Sequence, residues 1–270
     1  MSLSVEGKTA IVTGAANGVG LAVARHLLDS GARVMMVDMD EDKLTDEFDA
    51  LPDRDNAAWF AGDLRERLTL ANLMSATIDA FDRLDVLVNG SRQVIAADPL
   101  SPGIDETVNE LLQQNLMIAL RLSQVAAKRM IAQSDGGSDE DAPPAGSIIN
   151  LSSIAARRTL PELLAFSVST AALDQLTRSL AVALAEHRIR VNGVAFGSVM
   201  SDSLKTTLKE NRGYRQEIVE NTPLQRIAGP KEIAETVQFL ASEGSGFMTG
   251  QILTIDGGRT LLDPVTAPAH

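Results

Sequence analysis

Thr13-Gly14-Ala15-Ala16-Asn17-Gly18-Val19-Gly20 follows the apolar run 9–12 and precedes residues 21–28, where apolar side chains recur at helical spacing. A buried strand, a glycine-rich turn and an amphipathic helix therefore stand in direct succession. Such a turn presents unpaired backbone N–H groups at the positive end of a helix dipole, and glycine admits an anion without a Cβ in its way. The arrangement suits a pyrophosphate. Its G-x-x-x-G-x-G spacing differs from the commoner G-x-G-x-x-G of dinucleotide-binding turns. Gly14, Asn17, Gly18, Val19 and Gly20 are thus read as a nucleotide site from their position after a first strand as much as from their pattern. The competing reading is an ordinary strand–helix turn.

Outward from this turn, strand-like and helix-like segments alternate. Strands are predicted at 9–12, 33–37, 57–61, 86–89, 147–151, 190–194 and 252–255, and helices at 18–30, 40–51, 65–81, 104–133, 163–186 and 231–241. Strands rich in Val, Ile and Leu between amphipathic helices predict a parallel sheet covered on both faces. The fold class is α/β: one doubly wound, Rossmann-type domain over residues 1–270 with a seven-stranded parallel sheet.

Two segments stand apart. Residues 134–146 are acidic and rich in Gly, Pro and Ser, and are expected to form a flexible surface loop. Residues 200–229 follow the sixth strand, where a segment overhangs the ligand crevice of an open α/β sheet, and are expected to act as a substrate lid.

Composition narrows the function. The chain has 270 residues, 44% of them apolar, enough to bury a substantial core. No run approaches the ~20 apolar residues of a membrane span. With 36 acidic against 24 basic residues and a net charge of −12, nucleic acid is not an expected partner. Disulfides and thiolate zinc sites are excluded, because there is no cysteine. His26, His187 and His270 lie far apart and show no metal-ligand spacing, so no metal is expected. The chain enters its first strand within about eight residues, without a charged-then-apolar leader, and a cytoplasmic location is expected.

Asp38 closes the second predicted strand. A carboxylate there can accept from both hydroxyls of an adenosine ribose and repels a 2′-phosphate, so NAD is expected over NADP. Asp63, in Gly62-Asp63-Leu64 after the third strand, stands where a carboxylate meets an adenine amino group, with Leu64 beside it.

These pieces together resemble the short-chain dehydrogenase/reductase family along most of the chain, from Gly7 to about Gly258. The resemblance is carried by TGAANGVG, Asp38, Gly62-Asp63-Leu64, LDVLVN ending at Asn89, Asn115, SIINLSS ending at Ser153, IRVNGV at 189–194 and the terminal Ile255-Asp256-Gly257-Gly258. It implies hydride transfer between a nicotinamide and an alcohol or ketone. It also implies a tyrosine that moves the proton, a lysine four residues later that lowers the tyrosine pKa, and a serine that bonds the substrate oxygen. An asparagine in the preceding long helix organises a relay water.

Only half of that set is present. Ser153 and Asn115 match, but thirteen residues after Ser153 stands Phe166, and four further on stands Thr170. Phenylalanine has no titratable proton, and threonine has no charge to tune a neighbour. Substitutes considered are Tyr214, the chain's one tyrosine, and Glu162, while Arg157 and Arg158 are poor general acids because arginine stays protonated.

The nicotinamide side departs too. Where the family has Asn-Asn-Ala-Gly, this chain has Asn89-Gly90-Ser91-Arg92, so an arginine replaces a glycine along the dinucleotide's path. It either clashes with the cofactor or pairs with a phosphate or acidic ligand. Phe196-Gly197 replaces the usual Pro-Gly, altering the surface beside the nicotinamide ring. Asn89, whose usual role there is structural, and Gly90 are counted among the cofactor-binding residues, and Val199 offers backbone groups to the carboxamide.

The resulting expectation is an NAD(H)-binding protein of oxidoreductase ancestry with weak or no ordinary hydride transfer. The alternatives are an active oxidoreductase with a non-standard proton donor, and a non-catalytic subunit beside an active homologue. A homo-oligomer, dimer or tetramer, is implied through the two long helices, with Leu173, Leu176, Leu180 and Leu184 offering a face or a core stripe.

Overall fold

Seven parallel strands run in the order β3-β2-β1-β4-β5-β6-β7. They are β1 (Thr9–Thr13), β2 (Arg33–Asp38), β3 (Ala57–Ala61), β4 (Val86–Asn89), β5 (Gly146–Ser153), β6 (Ile189–Phe196) and β7 (Ile252–Ile255). The computed structural model describes residues 3–134 and 144–263. The acidic loop expected at 134–146 lies largely outside them, as does His270.

Alternation along each strand builds two cores. Ala10, Val12, Val34, Met36, Val86 and Val88 face one side and pack against helices α1 (Gly18–Asp29), α2 (Glu41–Asp49) and, through Ile233 and Val237, a helix over Pro230–Ala241. Ile11, Met35, Val37, Leu87 and Ile148 face the other side. There they meet α3 (Arg67–Phe81) through Leu70 and Leu73, and a helix over Ile118–Gln133 through Leu122 and Ala126. Both faces are covered, which explains why the strands read as continuous apolar runs.

The predicted helix at 104–133 is interrupted. It comprises α4 (Ile104–Leu112), a π-helical turn over Gln113–Met117 and α5 (Ile118–Gln133). Asn115 is buried within the turn and its side chain bonds to the neighbouring loop at Gln93. Single π-turns inside helices often mark functional positions.

The remaining helices are α6 (Leu164–Leu184), α7 (Asp202–Glu210), α8 (Tyr214–Glu220) and α9 (Pro230–Ala241). Leu173 of α6 is buried, Leu180 and Leu184 pack on the second core, and Leu176 is half-buried. Val168 and Val182 are the large apolar residues that α6 leaves exposed beyond its first residue, Leu164. Among the described residues no helix is long and apolar enough to cross a membrane.

Candidate nucleotide site

The strand order reverses between β1 and β4, the place where open α/β sheets bind ligands outside their strand carboxyl ends. A crevice of about 490 Å³ opens there. Its floor is the glycine turn between β1 and α1. Gly14 and Gly18 have φ of +74° and +58°, values a side chain rarely adopts. A Cβ on Gly14 would come within 2.9 Å of the Gly90 carbonyl oxygen, and one on Gly20 would overlap the Gly14 carbonyl oxygen. The turn is therefore packed against both α1 and the loop after β4. Asn17 caps α1 without a side-chain hydrogen bond, leaving the first-turn amides to face the crevice.

Of the expected nucleotide residues, Gly14, Asn17, Gly18, Val19, Gly20, Asp38, Asp63, Leu64 and Gly90 line this crevice. Asp38 accepts from the backbone N–H groups of Ala16 (3.1 Å), Met39 (2.8 Å) and Asp40 (3.2 Å). Its carboxylate is thereby fixed at the crevice wall, with lone pairs left over. Asp40 in turn caps α2 and holds Lys43, whose pKa is raised by that hydrogen bond.

Asp63 has a partner the sequence reading missed. Arg65 donates to it through Nε at 2.9 Å and Nη2 at 2.6 Å, and this pairing holds the carboxyl below its usual range. The signal was two residues away in the sequence.

Two expected residues do not reach the crevice wall. Asn89 is buried and donates to Asn150 Oδ1 (2.8 Å) and Ser123 Oγ (3.2 Å), tying β4 to its neighbours. Val199 packs its side chain into the first core, and its carbonyl accepts from Ser201 N at 2.7 Å. Phe196, from the altered turn after β6, lines the crevice as expected, as do Ser201 and Ser203 from the segment expected to overhang it, while Gln93 and Gln114 line it without having been named.

At the expected catalytic position the four residues do not share an open cavity. Phe166 is only 4% exposed and packs with Leu111, Ala155 and Ala165, flanked by Ile95, Val108 and Leu163. Thr170 donates its hydroxyl back to the carbonyl of Phe166 at 2.9 Å. Ser153 Oγ accepts from Ala155 N (3.2 Å) and caps a short helical turn. The Asn115 side chain, expected to serve a relay water, clamps Gln93. Its Oδ1 accepts from Gln93 N (2.8 Å), its Nδ2 donates to Gln93 O (2.9 Å), and the same Nδ2 reaches Ser169 Oγ (3.1 Å).

A cavity of about 10 Å³, roughly one water molecule, lies beside Thr170, Asn115, Asn89 and Arg92. The Oδ1 of Asn89 is buried there without a hydrogen-bond partner. A buried carboxylate the sequence reading passed over, Asp174, accepts from Ser152 at 2.6 Å, and burial pushes its pKa up.

The substitute proton donors are turned elsewhere. Tyr214 is half exposed at the start of α8 and lines no described cavity of the site. Glu162 is exposed, and Arg157 and Arg158 donate to Thr254 and to the Thr260 carbonyl near β7. Among the described residues no group of three or more His, Cys, Asp or Glu could hold a metal ion.

Fold and crevice define a dinucleotide-binding α/β protein, and comparison with known proteins makes the class specific. A family model described as Enoyl-(Acyl carrier protein) reductase matches residues 14–260. The chain is 32% identical over 262 residues to an uncharacterized oxidoreductase of Thermotoga maritima, covering 96% of this chain and 99% of that one. It is 30% identical over 258 residues to the 7alpha-hydroxysteroid dehydrogenase of Escherichia coli K12, covering 95% and 96%. Among solved structures, a 7 alpha-hydroxysteroid dehydrogenase complexed with NADH and 7-oxo glycochenodeoxycholic acid superposes with a TM-score of 0.84 at 29% identity, covering 95% of each chain. A gluconate 5-dehydrogenase from Burkholderia cenocepacia, in complex with NADP and tartrate, gives 0.86 at 26% identity, covering 97% and 98%. The chain belongs to the short-chain dehydrogenase/reductase family, whose fold binds a nicotinamide dinucleotide.

Proposed function

We propose that this chain binds NAD(H) in the crevice above β1 and β4 and carries out little or no ordinary alcohol or carbonyl hydride transfer. The observation that carries this reading is Phe166, an apolar ring buried in an apolar cluster where the family's proton-transferring tyrosine is expected. Reducing a ketone requires a hydride, which a bound nicotinamide supplies, and a proton, which the protein must deliver. Phe166 has none to give. Thr170 spends its hydroxyl on its own helix and brings no charge. General acid–base assistance contributes about 10²–10⁴-fold, so its loss leaves slow turnover at most.

The adenosine and pyrophosphate part of a dinucleotide fits the residues present. Gly14 and Gly18 leave the backbone bare, and Asp38 stands where a ribose would be. Asp38 also supports NAD over NADP, since its fixed carboxylate would face a 2′-phosphate while Lys43 is held by Asp40. Calorimetric titration tests this. NADH binds at least about tenfold more tightly than NADPH, and Asp38→Ser narrows the gap. Equal or tighter NADPH binding would overturn the preference, and binding of neither would overturn the reading. In this account α7, whose leading residues Ser201 and Ser203 line the crevice, begins the lid. Exposed Val168 and Val182 on α6 supply an association face, whether with identical copies or with an active homologue.

A further inference from the structure

The guanidinium of Arg92 lies over the ring of Phe196, 4.3 Å from its centroid, and Nη1 donates to the Ser152 carbonyl at 3.4 Å. Phe196 is the residue beside which a nicotinamide ring would rest, so a planar cation already covers that face. The placement is built rather than incidental, because the backbone on both sides of Arg92 is bolted down. Thr13 Oγ1 accepts from Gly90 N (2.9 Å) and Ser91 N (3.1 Å), and Asn115 clamps both backbone groups of Gln93. The same loop abuts the phosphate turn: a Cβ on Gly14 would stand 3.1 Å from Ser91 N. Arg92 and the glycine turn thus share one crevice. Withdrawal of the guanidinium from solvent pushes its pKa down to about 10, which leaves it charged at neutral pH.

We propose that Arg92 converts the ring end of the crevice into an anion site, so that the preferred ligand is an adenosine 5′-diphosphate without a nicotinamide. In this arrangement the glycine turn and the Arg92 fork hold the two phosphates, and Arg92 stays stacked on Phe196. A guanidinium is suited to both tasks, since it pairs with phosphate oxygens bidentately and stacks on aromatic faces. A dinucleotide, by contrast, must displace the stack before its ring can settle. The proposal rests on the crevice being a nucleotide site and names its ligand class.

The test is calorimetric titration of the full chain with ADP and with NADH, in the wild type, Arg92→Gly and Arg92→Gln. The wild type binds ADP at least as tightly as NADH. Arg92→Gly weakens ADP about tenfold and strengthens NADH about tenfold, reversing the order. Arg92→Gln keeps the bulk, loses the charge and weakens ADP by a similar factor, so the result does not depend on the glycine variant folding. NADH binding with an ADP-to-NADH ratio that neither variant changes would overturn the proposal and leave the nucleotide site standing. Binding of neither ligand to the wild type would remove the nucleotide site and the proposal with it.

Discussion

Phe166→Tyr/Thr170→Lys, made together, is expected to stay near the wild-type rate with NADH and a ketone panel, whereas adding Arg92→Gly raises turnover by about 10²–10⁴-fold. The reason lies in the small cavity beside position 170. It measures about 10 Å³ and is lined by Arg92 as well as Thr170. An ammonium placed there meets a like charge in a crowded space, and like charges disfavour each other's charged forms. The guanidinium also remains on Phe196, across the face a nicotinamide needs. Removing Arg92 relieves both conflicts, and Asn89 Oδ1, buried without a partner, becomes an acceptor for the new cation. Steady-state NADH oxidation measures the effect. High turnover in the double variant with Arg92 intact would show that the arginine does not obstruct the ring.

The second large effect falls on the glycine turn. Gly20→Ala is expected to destabilise the protein by more than about 3 kcal/mol, because the new Cβ overlaps the Gly14 carbonyl, a backbone group of the turn between β1 and α1 that has to shift to admit it. Gly18→Ala has room, its nearest neighbour being the Ser201 Cβ at 3.8 Å, and bears only the strain of φ +58°, about 1–2 kcal/mol. It still narrows the approach to the first-turn amides, so NADH affinity falls about tenfold while the fold survives. Urea unfolding with calorimetry separates the two. Equal stability losses at both positions would contradict this division of labour.

The fold was legible because it depends on pattern. The seven apolar strand segments and their intervening helices recur in the structure within a few residues, with β5 and β6 longer than read, at Gly146–Ser153 and Ile189–Phe196. Where the backbone departs from a regular helix, pattern is silent. A π-turn that holds Asn115, bonded to Gln93, interrupts the long helix, and nothing in the spacing of 104–133 announces it. The glycine turn and Asp38 line the crevice because local chemistry fixes them. Asn89 and Val199 are drawn inward by partners distant in sequence, Asn150 and the helix α9 core, which periodicity cannot reveal. The leucines of α6 show the same limit: a helical stripe does not say whether it faces its own sheet or a partner, and Leu180 and Leu184 face the sheet. Arg92 is conspicuous in the sequence as an arginine at a glycine position, yet its stacking on Phe196 depends on the approach of two loops distant in sequence.

The proposed function requires that nucleotide occupancy and hydride transfer be uncoupled in this chain. The most direct measurement saturates the protein with NADH, verifies the bound stoichiometry by calorimetry, and follows NADH absorbance in the presence of a panel of ketones. Near-stoichiometric binding is expected, with oxidation at least about 10²-fold slower than in a relative with the tyrosine and lysine in place. Oxidation at the rate of such a relative, with Phe166 and Thr170 unchanged, would contradict it.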